Sequence, residues 1–167
     1  MSEMRPFLVD TNIWAYLYYP EKYPQEHTNV VKHLDIIEQS EHLGISIITW
    51  GEIAVGLPEN GESSLQEEHL KFIRSIKPWI VGIDTHVAEQ YGKLRGRLSL
   101  KERGKKRHPV DMHTWLEVGS LENDLWIIAQ AIVEDLTLVT NDKKSMQPIL
   151  KLVGDGLHVE NWAEETA

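Results

Sequence analysis

The chain has 167 residues, enough for one hydrophobic core, so a single domain over residues 1–167 is expected. Its 41% hydrophobic and 26% charged residues match globular usage and exclude disordered or collagen-like chains. The absence of cysteine excludes disulfide frameworks, thiolate metal sites and cysteine nucleophiles, and the net charge of −9 argues against a polyanion partner for the molecule as a whole.

Taken in chain order, Phe7, Leu8 and Val9 form a short apolar run ending in Asp10, as expected of a strand covered on both faces. Thr11 to Tyr18 reads as a helix, and Asn29 to Ser40 carries Val30, Val31, Leu34 and Ile37 at helical spacing. Ile45 to Ile48 reads as a second buried strand, followed by a short helix from Trp50 to Leu57. Ser63 is placed to cap a helix through Ile76, and Trp79 to Ile83 reads as a third apolar strand. Asp84 opens the next helix as its cap, and that helix runs into a basic segment before Gly104.

The basic segment, Lys93 to His108, concentrates charge. It holds Lys93, Arg95, Arg97, Lys101, Arg103, Lys105, Lys106 and Arg107 against Glu102 alone, a local +7 that leaves −16 on the rest of the chain. Such a stretch is either a solvated helix face or a surface for nucleic acid. His108 to Ser120, with Pro109, reads as a loop. Leu125, Ile128, Ala129 and Ile132 then fall at i, i+3, i+4, i+7 on a largely buried helix, with Glu122 and Asn123 read as its cap residues. Leu136 to Val139 is a fourth strand, a short helix starts at Lys143, and a last strand lies near Leu157 to Val159. Strand and helix alternate throughout, the pattern of a parallel α/β sheet. No segment approaches the roughly 18 apolar residues of a membrane helix, so a cytoplasmic protein with no membrane partner is expected.

In an open parallel sheet the loops at the carboxyl ends of the strands line one crevice. Asp10 ends the first strand, Glu52 follows the second and Asp142 follows the fourth. Asp124 shares a helix face with Ile127, Ile128 and Ala131 and so faces inward. Each acid taken singly is explained as a helix cap or a solvated acid. Several acids converging where one is buried favour a cation instead, and all-oxygen ligation suits Mg²⁺ or Mn²⁺, which would screen a phosphate and activate a water. Phosphate loops, dinucleotide fingerprints and the G-x-S-x-G nucleophile turn are all missing from the sequence.

Leu8-Val9-Asp10-Thr11-Asn12, Ile48-Thr49-Trp50-Gly51-Glu52-Ile53, Glu122-Asn123-Asp124-Leu125-Trp126-Ile127-Ile128-Ala129-Gln130-Ala131 and Leu136-Thr137-Leu138-Val139-Thr140-Asn141-Asp142, closed by Val159-Glu160-Asn161-Trp162, together resemble the PIN-domain ribonucleases, specifically the VapC-type toxins of bacterial toxin-antitoxin pairs. The resemblance implies a three-layer α/β/α sandwich around a parallel sheet of about five strands. It also implies Mg²⁺ or Mn²⁺ on an acidic quartet of Asp10, Glu52, Asp124 and Asp142, and endonucleolytic cleavage of structured RNA of the transfer or ribosomal class. A cognate antitoxin and a homodimer belong to the same implication. Many relatives place the fourth acid three residues later, where this chain has Ser145, and Asp142 is assigned that role here. The alternative is a catalytically silent module of the same fold that binds RNA or protein. A receiver-type phosphoacceptor fits less well, because Thr11 and Asn12 follow Asp10 where that architecture pairs acids.

Overall fold

Phe7, Leu8 and Val9 are all buried and form β1 (Phe7–Val9), the middle strand of a five-stranded sheet. The computed structural model describes residues 5–37, 42–55, 57, 64–102 and 121–165. After β1 come α1 (Thr11–Tyr18), α2 (Pro24–Ile37), β2 (Leu43–Ser46), α3 (Ile47–Ala54), α4 (Leu65–Ile76), β3 (Trp79–Val81) and α5 (Thr85–Glu102). α6 (Glu122–Val133), β4 (Thr137–Val139), α7 (Lys143–Val153), a 3₁₀ turn (Gly154–Gly156) and β5 (His158–Glu160) complete the described order. Among the described residues no helix is long and apolar enough to cross a membrane.

The strand order is β3-β2-β1-β4-β5, with every pairing parallel. Strand side chains alternate between faces, so β1 sends Phe7 and Val9 to one side and Leu8 to the other. Phe7 and Val9 join Ile13, Trp14, Val30, Ile53 and Ile73 in a core beneath α1 to α4. Leu8 joins Leu94, Leu125, Ile128, Leu138 and Ile149 in a second core beneath α5 to α7. The result is a three-layer α/β/α sandwich, as expected. Because the chain leaves β1 toward β2 on one side and returns to β4 on the other, the switch point that opens a crevice lies at the carboxyl ends of β1 and β4.

Several boundaries move for local reasons. The second strand ends at Ser46, whose Oγ accepts from the Ile48 amide at 3.0 Å, so α3 begins at Ile47 rather than Trp50. α2 starts at Pro24, well before Asn29, since proline is favoured at a first helical position. Ser64 rather than Ser63 caps α4, accepting from the Glu67 amide at 3.2 Å. The third strand lies at the sheet edge, which leaves Trp79 37% and Ile80 53% exposed despite the apolar run. Asp84 caps α5 as expected, its Oδ1 accepting from the Val87 amide at 2.9 Å.

Gln130 locks α6 to the sheet. It is fully buried, accepts from Ser46 Oγ at 2.5 Å and donates to the carbonyls of Val81 at 2.8 Å and Gly82 at 2.9 Å. Each buried group left without a partner costs about 1–3 kcal/mol, so Gln130→Ala should lower unfolding free energy by about 3 kcal/mol in a urea titration. A loss below about 1 kcal/mol would mean that water replaces these bonds.

Candidate active site

The ladder between β1 and β4 continues one step past the strand ends, where the Asp10 amide donates to the Val139 carbonyl at 3.0 Å. This brings two Thr-Asn pairs together. Asp10 Oδ1 accepts from the Thr11 amide at 2.8 Å and so caps α1. Its Oδ2 accepts from Thr140 Oγ1 at 2.8 Å and from Asn12 Nδ2 at 3.4 Å. Asn12 also accepts from the Asn141 amide at 3.2 Å, and Asn141 Nδ2 donates to the Tyr16 hydroxyl at 2.9 Å. Asp10 is thus both a cap and a buried carboxylate. Burial raises its pKa, the bonds from Thr140 and Thr11 oppose that, and the charges of Glu52 and Asp142 add to the rise.

Glu52 projects from α3 to the same place. The Thr11 hydroxyl donates to its Oε2, and Asn123 Nδ2 donates to its Oε1 at 2.7 Å. Asp124, in the first turn of α6, is half-buried, and its pKa is pushed up to about 7. The largest cause is burial, followed by the charges of Asp10, Asp142 and Glu52. Asp142 is exposed and caps α7, accepting from the Ser145 amide at 3.4 Å, while its own amide donates to Thr140 Oγ1 at 3.0 Å. Asp10 and Asp124 thus each lie within reach of the charges of Glu52 and Asp142.

Two expectations change. Glu122 and Asn123 do not cap α6, whose N-cap residue is Leu121 with no side-chain bond. Asn123 reaches Glu52, and Glu122 reaches α5 through the Tyr91 hydroxyl and Arg95 Nε, the latter at 3.3 Å. Arg95, counted with the basic surface, is 5% exposed and packed inward. Its position between Leu94 and Leu98 on the Tyr91 stripe carried that signal at helical spacing. Lys93 and Arg97 are exposed, and Lys101 stands in the last turn of α5. Arg103, Lys105, Lys106, Arg107 and the expected loop from 108 to 120 lie outside the described residues. Thr11, Asn12, Thr140 and Asn141 support Asp10 through side-chain and backbone bonds, a role outside the acids singled out from the sequence. Their repeated Thr-Asn pairing at two strand ends was the available sign.

The PIN domain family model matches residues 7–147. The chain belongs to the PIN domain family. Ribonuclease VapC2 of Rickettsia felis is 28% identical over 156 residues, covering 93% of this chain and 97% of that protein. The structure of VapBC2 from Rickettsia felis bound to a DNA fragment from their promoter aligns with a TM-score of 0.62 at 24% identity, over 93% of this chain and 98% of that one. VapBC-1 of Haemophilus influenzae aligns with a TM-score of 0.62 at 22% identity, over 95% of this chain and 98% of that one. The sheet and its two helical layers are therefore the PIN fold.

The donor chemistry of the rim fits a hard divalent cation. Its candidates are all carboxylate oxygens, and among the described residues the charges that act on Asp124 are those of Asp10, Asp142 and Glu52, negative charge that a cation would relieve. Among the described residues no three acidic or histidine side chains are already gathered as a metal cage. Glu52 is held by Thr11 and Asn123, and Asp142 by its capping bond.

Proposed function

We propose that this PIN-domain chain is an Mg²⁺- or Mn²⁺-dependent endoribonuclease and the toxin of a toxin-antitoxin pair. The observation that carries this reading is the PIN domain match over residues 7–147 together with the placement of Asp10 and Asp142 just past the carboxyl ends of β1 and β4, with Glu52 tied to Thr11 and to Asn123 beside Asp124. Those four carboxylates are the proposed cation ligands. A cation bound there supplies neutralising charge at a phosphodiester and lowers the pKa of a water toward neutrality. The protein's own groups orient the ligands: Thr140 and the Thr11 amide hold Asp10, while the Thr11 hydroxyl and Asn123 hold Glu52.

The similarity to Ribonuclease VapC2 supports RNA as substrate, here structured RNA of the transfer or ribosomal class. The similarity to VapBC complexes supports a cognate antitoxin as partner, and a homodimer belongs to the same reading. Incubation of the purified chain, separated from any partner, with total RNA and Mg²⁺ or Mn²⁺ tests the proposal. Discrete cuts bearing 5′-phosphate and 3′-hydroxyl ends, lost with chelator, are expected. Cutting that survives chelation, or ends carrying 2′,3′-cyclic phosphate, would overturn it. A second reading, a silent RNA- or protein-binding module, draws on the exposed, capping Asp142. Its signature is intact RNA bound by the cation-loaded protein.

The basic segment is assigned to phosphate contacts. Lys93 and Arg97, exposed on α5, should each remove about 0.7–0.9 from the slope of log affinity against log salt when replaced by Ala. The double variant therefore loses about 1.5 in a filter-binding series across salt concentrations. An unchanged slope would remove this part of α5 from the RNA surface.

A further inference from the structure

Three consecutive residues open α6 and act in three directions. Asn123 donates to Glu52 on α3, Asp124 carries the charge interactions of the acid rim, and Glu122 turns to α5. Leu121 makes no side-chain cap bond, while Asn123 and Glu122 tie the first turn of α6 to α3 and α5. Both Glu122 oxygens are engaged by α5: Oε1 accepts from the Tyr91 hydroxyl, and Oε2 lies 3.3 Å from Arg95 Nε. Tyr91 also stacks on Trp126, with ring centroids 3.8 Å apart and planes within 2°. Glu122 and Trp126 are four residues apart on one face of α6, so Tyr91 grips that face at two heights.

Asp124 lies about 200° around the helix from Glu122, so any rotation that loosens the α5 grip displaces Asp124 on the opposite side. Arg95 and Tyr91 are each 5% exposed while the Glu122 side chain is 31% exposed, so the grip is buried on its α5 side and part-buried on its α6 side. A buried ion pair adds little net stability over an apolar packing of equal volume, and its contribution is directional. We infer that Glu122, clamped by Tyr91 and Arg95, is a positioning residue that sets Asp124 and Asn123 against the other acids of the rim. The inference rests on the reading of Asp124 and Glu52 as cation ligands.

The test measures Mn²⁺ affinity by calorimetry without RNA, kcat and KM for RNA cleavage, and Tm, in the full chain. Glu122→Gln is expected to weaken Mn²⁺ binding about tenfold and to lower kcat with KM unchanged, as for residues that orient metal ligands. Arg95→Met should match it, and Arg95→Lys should recover part of the loss. Tyr91→Phe deletes one oxygen and keeps the ring stack, so it carries the test where Arg95→Met does not fold, with a smaller loss in the same direction. Wild-type Mn²⁺ affinity and kcat in these variants, with only Tm lowered, would overturn the inference. So would an effect confined to KM. A wild-type chain that binds no Mn²⁺ fails before any variant is made, and that outcome removes the ligand reading and the clamp together. If it binds Mn²⁺ but leaves RNA uncut, the nuclease reading alone fails, and the affinity measurements still decide the clamp.

Discussion

Asp10→Asn is expected to abolish RNA cleavage while leaving the protein at least as stable as wild type in cation-free buffer. A cation that contributes several kcal/mol to the transition state, at about 1.4 kcal/mol per decade of rate, makes the loss about 10³-fold. The stability effect has the opposite sign for a reason in the geometry. Burial and the charges of Glu52 and Asp142 raise the Asp10 pKa, so the ionised form is disfavoured in the fold at neutral pH. Stability linked to a raised pKa is present at low pH and lost as pH rises through the folded value. Asn removes that charge and keeps an oxygen for the Thr11 amide at the α1 cap, while its amide nitrogen donates to Thr140 Oγ1 in a reversed bond and gives up only the long Asn12 contact at 3.4 Å. Single-turnover cleavage and thermal unfolding measured on one preparation separate the two effects. Persistent cleavage would remove Asp10 from the site, and a large fall in Tm would make capping its main role.

Cation affinity should depend steeply on pH. Asp124, lifted from an ordinary 3.8 to about 7, must lose its proton before it ligates. Well below pH 7 competition with that proton costs about tenfold in affinity per pH unit, so with Asp124 half ionised at pH 7, Mn²⁺ binds about 50-fold more weakly at pH 5 than at pH 7. In the absence of cation the sign for folding is the reverse. The contribution of Asp124 to stability is fully present below about pH 4 and is lost as pH rises toward 7. Adding Mn²⁺ should therefore raise Tm far more at pH 7.5 than at pH 5. Calorimetry in two buffers of different ionisation enthalpy would count the proton released on binding. Affinity independent of pH, with no proton released, would show that Asp124 is ionised before the cation arrives.

The parts of the site that were legible in the sequence are those set by position along the chain. Phe7-Leu8-Val9 before Asp10, and Leu136-Thr137-Leu138-Val139 before Thr140-Asn141-Asp142, place acids at strand ends because a doubly covered strand reads as a short, mostly apolar run rather than an alternating one. Asp124 was legible because the helical spacing of Ile127, Ile128 and Ala131 identifies which side of α6 is buried. Glu122 and Asn123 have the local pattern of caps yet cap nothing. A polar side chain at a helix start has the same local appearance whether it bonds its own backbone or crosses to another element. Arg95 was misread as surface because counting charge along a segment ignores its faces: residues 93, 95 and 97 alternate between opposite sides of a helix.

By itself the sequence determined the alternation of strands and helices, the parallel sheet and the strand-end positions of Asp10 and Asp142, because local apolar patterning and strand-end position depend only on neighbours in the chain. The tertiary structure alone decided that Asn12 bridges Asp10 to Thr140, that Asn123 serves Glu52, and that α5 holds the first turn of α6 through Tyr91 and Arg95. These bonds join residues 128, 71 and 31 positions apart, and their partners become neighbours only when the crossovers of the sheet have closed.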